Sequence, residues 1–117
     1  MNIRLEIKKI KKEIIEWRRD FHHNPELSFQ EYRTRDVIAS ELKSMGLKPR
    51  INIGRTGVIA DLNFGEGPKI AIRADMDALP IQETSGLPFS SKNDGVMHAC
   101  GHDAHMAMLL GTAKALT

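Results

Sequence analysis

The stretch Lys69-Ile70-Ala71-Ile72-Arg73-Ala74 decides the fold class of this chain. It is a short, nearly continuous apolar run, which is typical of a central strand covered on both faces, and helices should lie against such a strand. A hairpin is predicted before it, because Ile51 and Ile53 alternate with polar residues, residues 54–57 form a glycine-containing turn, and residues 58–62 give a second apolar run. The sequence therefore predicts an α/β fold.

Two helices are predicted before the hairpin. Residues 28–31, Ser-Phe-Gln-Glu, have the form of a capping box, so a second helix should begin at about Phe29, and Gly46 is placed to end it. His22 and His23 lie at the end of the first helix, where we interpret them as capping charges in preference to metal ligands. The first helix is predicted over about residues 2–22 from apolar residues spaced by three and four positions, namely Ile3, Ile7, Ile10, Ile14, Trp17 and Phe21.

Two carboxylates, Asp75 and Asp77, directly follow the predicted central strand. Ligands of open α/β sheets gather outside the carboxyl ends of the strands, so both residues are candidates for a site. Asp75 could orient a metal-bound histidine or assist proton transfer. Alternatively, both carboxylates only cap backbone groups in the loop. Residues 81–96 then form a long irregular connection of the kind that often contributes to a site.

A candidate metal motif lies at Met97–His105, which contains three histidines, one aspartate and the only cysteine of the chain. Cysteine thiolate and imidazole are common ligands of zinc and related ions, and the glycine between Cys100 and His102 lets both side chains turn toward one ion. A helix capped by Asp103 is predicted from there to about Leu116. The positive end of that helix would stabilise a thiolate or an anion.

Composition limits the function classes. The 117 residues carry a formal charge of +2 from 17 basic and 15 acidic side chains, too little to indicate a nucleic-acid or anionic membrane partner. No apolar run reaches membrane-spanning length, and the N-terminus does not have the pattern of a signal peptide. One cysteine excludes an internal disulfide. We therefore expect one cytoplasmic domain with a free thiol.

Several motifs in order resemble the N-terminal portion of the M20 family of metal-dependent amidohydrolases, in the branch of N-acyl-amino-acid amidohydrolases and hippurate hydrolases. This resemblance implies a partial zinc-peptidase-like catalytic domain over residues 1–117, with the lid or dimerisation domain and the C-terminal catalytic half outside it. The motifs are Trp-Arg-Arg-Asp-Phe-His (17–22), Pro-Glu-Leu-Ser-Phe-Gln-Glu (25–31), Gly-Val-Ile-Ala (57–60), Ile-Arg-Ala-Asp-Met-Asp-Ala-Leu-Pro (72–80) and Met-His-Ala-Cys-Gly-His-Asp (97–103).

The same resemblance implies roles for individual residues. Cys100 would bridge two divalent metal ions (zinc, manganese, cobalt or nickel), His102 would be a terminal ligand, and Asp75 would be the catalytic aspartate. Arg73 stands where other branches of the family carry a histidine ligand. His98 and His105, the last residue of the motif, match no ligand of the family. We therefore interpret both as structural or site-shaping residues.

The implied activity is hydrolysis of the amide bond of N-acyl amino acids, such as acetyl or benzoyl derivatives, with a glutamate as general base. The family's general-base glutamates and remaining ligands have no counterpart among residues 1–117, and Glu66 and Glu83 lie in turn-like sequence. We therefore expect the chain to be inactive alone. Unpaired strand edges should favour a homo-oligomer or association with a missing C-terminal segment.

Two other classes remain open from the residues. Cys100 could be the nucleophile of a thiol hydrolase with His102 or His98 as its base. Alternatively, the chain could be a non-enzymatic metal-binding or interaction fragment. Alkylation that abolishes activity in metal-free protein would indicate the nucleophile, whereas inhibition by a chelator and recovery with metal would indicate the amidohydrolase.

Overall fold

A computed structural model describes all residues, 1–117. The elements follow the order α1 (Ile3–His23), α2 (Tyr32–Ser44), β1 (Arg50–Ile53), β2 (Gly57–Ile59) and α3 (His102–Leu116), and β1 pairs antiparallel with β2. The predicted N-terminal helices, hairpin and C-terminal helix are therefore confirmed, as is the α/β class. None of the three helices combines the length and the apolar character needed to cross a bilayer.

The predicted central strand is wrong in its detail. Residues 69–74 form neither helix nor strand, and the only sheet is the β1-β2 hairpin. Ile70 is 87% exposed and Ile72 is 62% exposed, although their pattern indicates burial. A strand needs a neighbour to accept and donate its backbone hydrogen bonds, and no strand of this chain lies beside the segment.

The core forms where the second half of α1 packs on α3. The stripe predicted on α1 is therefore buried only in part, because Phe21 is fully buried while Ile3 is 48% exposed. Gly111 on α3 lies against the Ile14 side chain of α1, so a Cβ at position 111, 2.7 Å from Cδ1 of Ile14, would require that side chain to shift. The buried apolar residues of the core cluster are Trp17, Phe21, Leu42, Met106, Ala107 and Leu110.

The start of α2 differs from the predicted capping box. Phe29 has a φ of 63°, and the helix begins only at Tyr32. Its free N–H groups are satisfied from upstream, since the Glu26 carboxylate accepts hydrogen bonds from the Arg33 N–H (3.1 Å), the Thr34 N–H (2.6 Å) and the Thr34 hydroxyl (2.7 Å). At the other end, Gly46 with a φ of 84° ends the helix as predicted.

We expect Glu26→Ala to lower the free energy of unfolding by about 1–3 kcal/mol, because two N–H groups at the start of α2 and one buried hydroxyl lose their acceptor. Urea denaturation followed by circular dichroism measures this change. Glu66→Ala, which removes an exposed glutamate from a turn, is the matched control and should leave the stability within about 0.5 kcal/mol. Equal stability of the two variants would contradict a capping role.

Two isolated β-bridges bring the distant motifs together. Leu27 pairs parallel with Ala78, and Leu79 pairs antiparallel with Met97. Leu79 and Met97 exchange both backbone hydrogen bonds at 2.9 Å, while the Ala78 N–H donates to the Glu26 carbonyl at 2.8 Å. The loop after α1, the aspartate pair and the metal motif therefore lie side by side.

Candidate metal centre

The metal motif turns sharply at the start of α3. The helix begins at His102, and Gly101 is its N-cap residue with a φ of 90° in the left-handed region, which glycine adopts without strain. No side chain caps this helix, so the predicted capping role of Asp103 is wrong. Cys100 precedes the turn and is exposed.

Asp77 holds His102 through one ring nitrogen, Nδ1. Its Nδ1 lies 2.9 Å from the Asp77 carbonyl oxygen and 3.0 Å from the Asp77 carboxylate. The carboxylate also accepts a hydrogen bond of 2.7 Å from the Ser28 hydroxyl. Burial raises the pKa of Asp77, but hydrogen bonds from Ser28 and its own N–H and the nearby His102 outweigh it, so the pKa of Asp77 is lowered. The ring therefore faces an ionised carboxylate.

Asp75 occupies the other side of the same imidazole. Its Oδ2 lies 4.0 Å from Nε2 of His102, which is too long for a hydrogen bond. Its Oδ1 accepts from the Arg73 guanidinium at 2.7 and 3.0 Å. The orienting contact that we considered for Asp75 is thus made by Asp77, and Asp75 faces the free side of the ring.

The donors present fit part of a metal site. Cys100 provides an exposed thiol, His102 an imidazole nitrogen with no hydrogen bond, and Asp75 a carboxylate near that nitrogen. These groups suit zinc and related ions. No group of three or more histidine, cysteine, aspartate or glutamate side chains converges closely enough to hold an ion. Protein zinc sites use three or four protein ligands, so the set is incomplete within residues 1–117.

The geometry does not favour a cysteine nucleophile. The nitrogens of His102 face Asp77 and Asp75, and both ring nitrogens of His98 are buried without a hydrogen-bond partner. Burial lowers the pKa of His98, which favours its neutral form. His105 is exposed on α3, with its ring centroid 6.2 Å from that of His102. No imidazole is therefore hydrogen-bonded to the thiol as a general base.

A buried ionic cluster behind the motif joins α1, the 81–96 connection and α3. His22 lies between two carboxylates, with Nδ1 2.8 Å from Asp103 and Nε2 3.0 Å from Glu83, and all three side chains are at most 3% exposed. Nε of Arg18 forms an ion pair with Asp103, 2.9 Å from Oδ2. This cluster fixes the first turn of α3, and thereby the metal motif, against α1.

The sequence predictions missed this cluster. His22 and Glu83 are 61 positions apart and His22 and Asp103 are 81 apart, so no local spacing signals their contact. Burial raises the pKa of Glu83, but hydrogen bonds from Ser85, the Ser91 N–H and His22 lower it to about 2. The one available signal was a histidine directly after a strongly apolar helix stripe, where a buried polar group needs a partner.

Comparison with known proteins gives consistent matches. The model of peptidase family M20/M25/M40 matches residues 71–117. An N-acyl-L-amino acid amidohydrolase of Geobacillus stearothermophilus is 53% identical over 110 residues, which are 92% of this chain and 30% of the relative. The Bacillus subtilis YXEP protein, described as a dinuclear metal-binding peptidase of the M20 family, is 50% identical with a TM-score of 0.85 over 92% of this chain and 31% of that one.

A solved structure from methicillin-resistant Staphylococcus aureus is 46% identical, with a TM-score of 0.91 over 99% of this chain and 32% of that chain. The chain thus spans less than a third of the length of each of these three proteins. High identity and a shared fold over nearly the whole chain agree with the motifs at Asp75 and Cys100. Over nearly its whole length the chain is similar to an N-acyl-L-amino acid amidohydrolase and to a peptidase of the M20 family, and the M20/M25/M40 family model matches its residues 71–117.

Proposed function

We propose that this chain supplies part of the dinuclear metal site of an amidohydrolase that cleaves the amide bond of N-acyl amino acids. The observation that carries the proposal is the arrangement of His102, whose Nδ1 is engaged by Asp77 while its Nε2 has no hydrogen bond and faces Asp75. The exposed Cys100 thiol lies two residues away. The relatives support the reaction class, because they include an N-acyl-L-amino acid amidohydrolase and a dinuclear metal-binding peptidase.

Each residue has a proposed role. The Cys100 thiolate and Nε2 of His102 would hold two divalent ions, chosen from zinc, manganese, cobalt and nickel, together with ligands from further polypeptide. When bound, the metal pair polarises the acyl carbonyl and makes water acidic enough to attack it. The Asp75 carboxylate, which accepts a hydrogen bond of 2.7 Å from Arg73, orients groups on the open side of His102 and accepts a proton there.

We also propose that further polypeptide completes the site, in the cytoplasm. The side chains of residues 1–117 do not converge as a full ligand set, and the exposed Ile70 and Ile72 lie on a segment without a paired strand. A segment that supplies a strand beside residues 69–74 would cover both isoleucines. This segment belongs either to another copy of the chain or to a C-terminal segment. The substrate is a small N-acyl amino acid.

Hydrolysis of N-acetyl and N-benzoyl amino acids tests this function. The 117-residue chain is assayed alone and mixed with the part of the Geobacillus amidohydrolase that it does not match, with zinc, manganese, cobalt or nickel present. We expect metal-dependent turnover only in the mixture, and none when the chain carries Cys100→Ala. Turnover that survives both a chelator and Cys100→Ala would contradict the proposal, and turnover by the chain alone would contradict the need for further polypeptide.

A further inference from the structure

We propose that Asp77, anchored by Ser28, is a positioning residue that holds His102 in the tautomer with a protonated Nδ1, so that Nε2 is the nitrogen that binds metal. This inference rests on the proposed function, in which His102 is a ligand. It assigns Asp77 and Ser28 a role in positioning His102, and this role of Asp77 differs from the one proposed for Asp75.

The partners of His102 decide which nitrogen carries the proton. Nδ1 contacts only oxygen acceptors, namely the Asp77 carbonyl at 2.9 Å and the Asp77 carboxylate at 3.0 Å. A nitrogen between two acceptors must donate, and a neutral imidazole has only one N–H. Nε2 therefore keeps its lone pair, and its nearest carboxylate oxygen, on Asp75, is 4.0 Å away. That lone pair is what a metal ion binds.

The Asp77 carboxylate that faces Nδ1 is itself fixed. Its second oxygen accepts the hydrogen bond of 2.7 Å from Ser28, and its side chain is 28% exposed. The next residue, Ala78, donates from its backbone to the Glu26 carbonyl at 2.8 Å. Side chain and backbone are thus both tied to the loop that follows α1, so the carboxylate is held toward the ring before any metal binds.

The negative charge of the Asp77 side chain strengthens the interaction with Nδ1 of His102 that the Asp77 backbone carbonyl already makes. A carboxylate that accepts from the far nitrogen of a ligand histidine fixes the ring and raises its basicity, and loss of such a partner commonly weakens metal binding about 10–100-fold. The backbone carbonyl of Asp77 remains in every variant, so substitution of the side chain tests the contribution of the charge separately from that of the backbone.

The first test needs no substitution at the positioning residue. Long-range ¹H–¹⁵N correlation spectra of the metal-free 117-residue chain, recorded at alkaline pH where histidines are neutral, report the tautomer of each ring. The His102 signals are assigned by their loss in His102→Gln. We expect His102 to carry its proton on Nδ1. A proton on Nε2 would overturn the inference, whatever the metal affinity.

The second test compares the Co²⁺ affinity of the chain and its variants, each mixed with the part of the Geobacillus amidohydrolase that the chain does not match. We expect Asp77→Asn to bind Co²⁺ about 10–100-fold more weakly, Ser28→Ala to bind more weakly by a smaller factor, and Asp61→Asn to match the unchanged chain. Asp61 is the control because its side chain is 86% exposed and contacts only Arg50, at 3.5 Å. Unchanged affinity in folded Asp77→Asn would overturn the inference.

His102→Ala separates this inference from the proposed function. If His102→Ala leaves Co²⁺ affinity unchanged, His102 is not a ligand and the proposed function fails. If His102→Ala weakens binding and folded Asp77→Asn does not, only the positioning role fails. If circular dichroism shows that Asp77→Asn is unfolded, Ser28→Ala and the tautomer of the unchanged chain decide the question.

Discussion

Asp103→Ala is expected to lower the free energy of unfolding by about 3–5 kcal/mol, because it removes one partner from a buried, paired set of charges. The Asp103 carboxylate is 1% exposed and contacts His22 at 2.8 Å and Arg18 at 2.9 Å. Without it, the buried imidazole loses the acceptor on Nδ1. Since small domains are stable by only about 5–15 kcal/mol, a loss of this size unfolds a large fraction of the molecules in mild denaturant.

Urea unfolding monitored by the fluorescence of Trp17, which is buried in the core, measures the effect. Asp36→Ala is the matched control, because Asp36 also pairs with an arginine, Arg35 at 2.8 Å, but its side chain is 64% exposed. An exposed pair contributes about 0–1 kcal/mol, so this control should change little. A loss below about 1 kcal/mol for Asp103→Ala would mean that the cluster does not hold α3 in place.

Acid should destabilise the chain through Glu83. The pKa of this carboxyl is lowered from 4.5 to about 2 in the folded chain, so the unfolded chain binds the proton more readily. The stabilisation is therefore fully present above the unfolded value and is lost as the pH falls from about 4.5 toward 2. A carboxylate with its pKa lowered to this extent contributes roughly 3 kcal/mol at neutral pH.

Glu83→Gln tests this prediction. We expect the variant to be less stable at neutral pH and to show a weaker loss of stability on acidification over the same range. Part of the pH dependence should remain, because the pKa of Asp77 is also lowered. Glu66→Gln, at an exposed turn position, should follow the unchanged chain. Identical pH profiles for Glu83→Gln and the unchanged chain would contradict the proposed ionic contact with His22.

The local pattern of the sequence was sufficient to predict the helices and the hairpin. The apolar stripe from Ile3 to Phe21 predicts α1 within a residue at each end, and Gly46 marks the end of α2. These elements depend on neighbouring residues along the chain, which is the information that periodicity carries. The capping box failed because a carboxylate five residues before Glu31, on Glu26, takes over the N–H groups of α2.

The predicted central strand failed for a different reason. Residues 69–74 have the composition of a buried strand, but strand formation depends on a partner that the pattern cannot supply. Without such a partner, Ile70 and Ile72 are exposed. The apolar pattern therefore predicts that residues 69–74 need a covered environment, but this chain alone does not provide the neighbouring strand that would cover them.

The site was predictable in its chemistry and only partly in its geometry. The density of ligand-type residues around Cys100 and His102 indicated metal, and of the two nearby carboxylates, Asp75 and Asp77, it was Asp75 that was the candidate to orient a histidine. Only coordinates distinguish them, since Asp77 contacts Nδ1 at 3.0 Å and Asp75 stays 4.0 Å from Nε2. The ligand roles of Cys100 and His102 and the catalytic role of Asp75 stay predictions.

Co²⁺ titration of the 117-residue chain mixed with the part of the Geobacillus amidohydrolase that it does not match, followed by the thiolate-to-cobalt absorption band, tests most directly whether Cys100 and His102 bind metal together. A thiolate ligand gives this band and other donors do not, so binding through Cys100 is read separately from binding elsewhere. We expect the band in the unchanged chain, its loss in Cys100→Ala and weaker binding in His102→Ala. Absence of the band in the unchanged chain, or equal affinity in His102→Ala, would contradict a metal site built on these two residues.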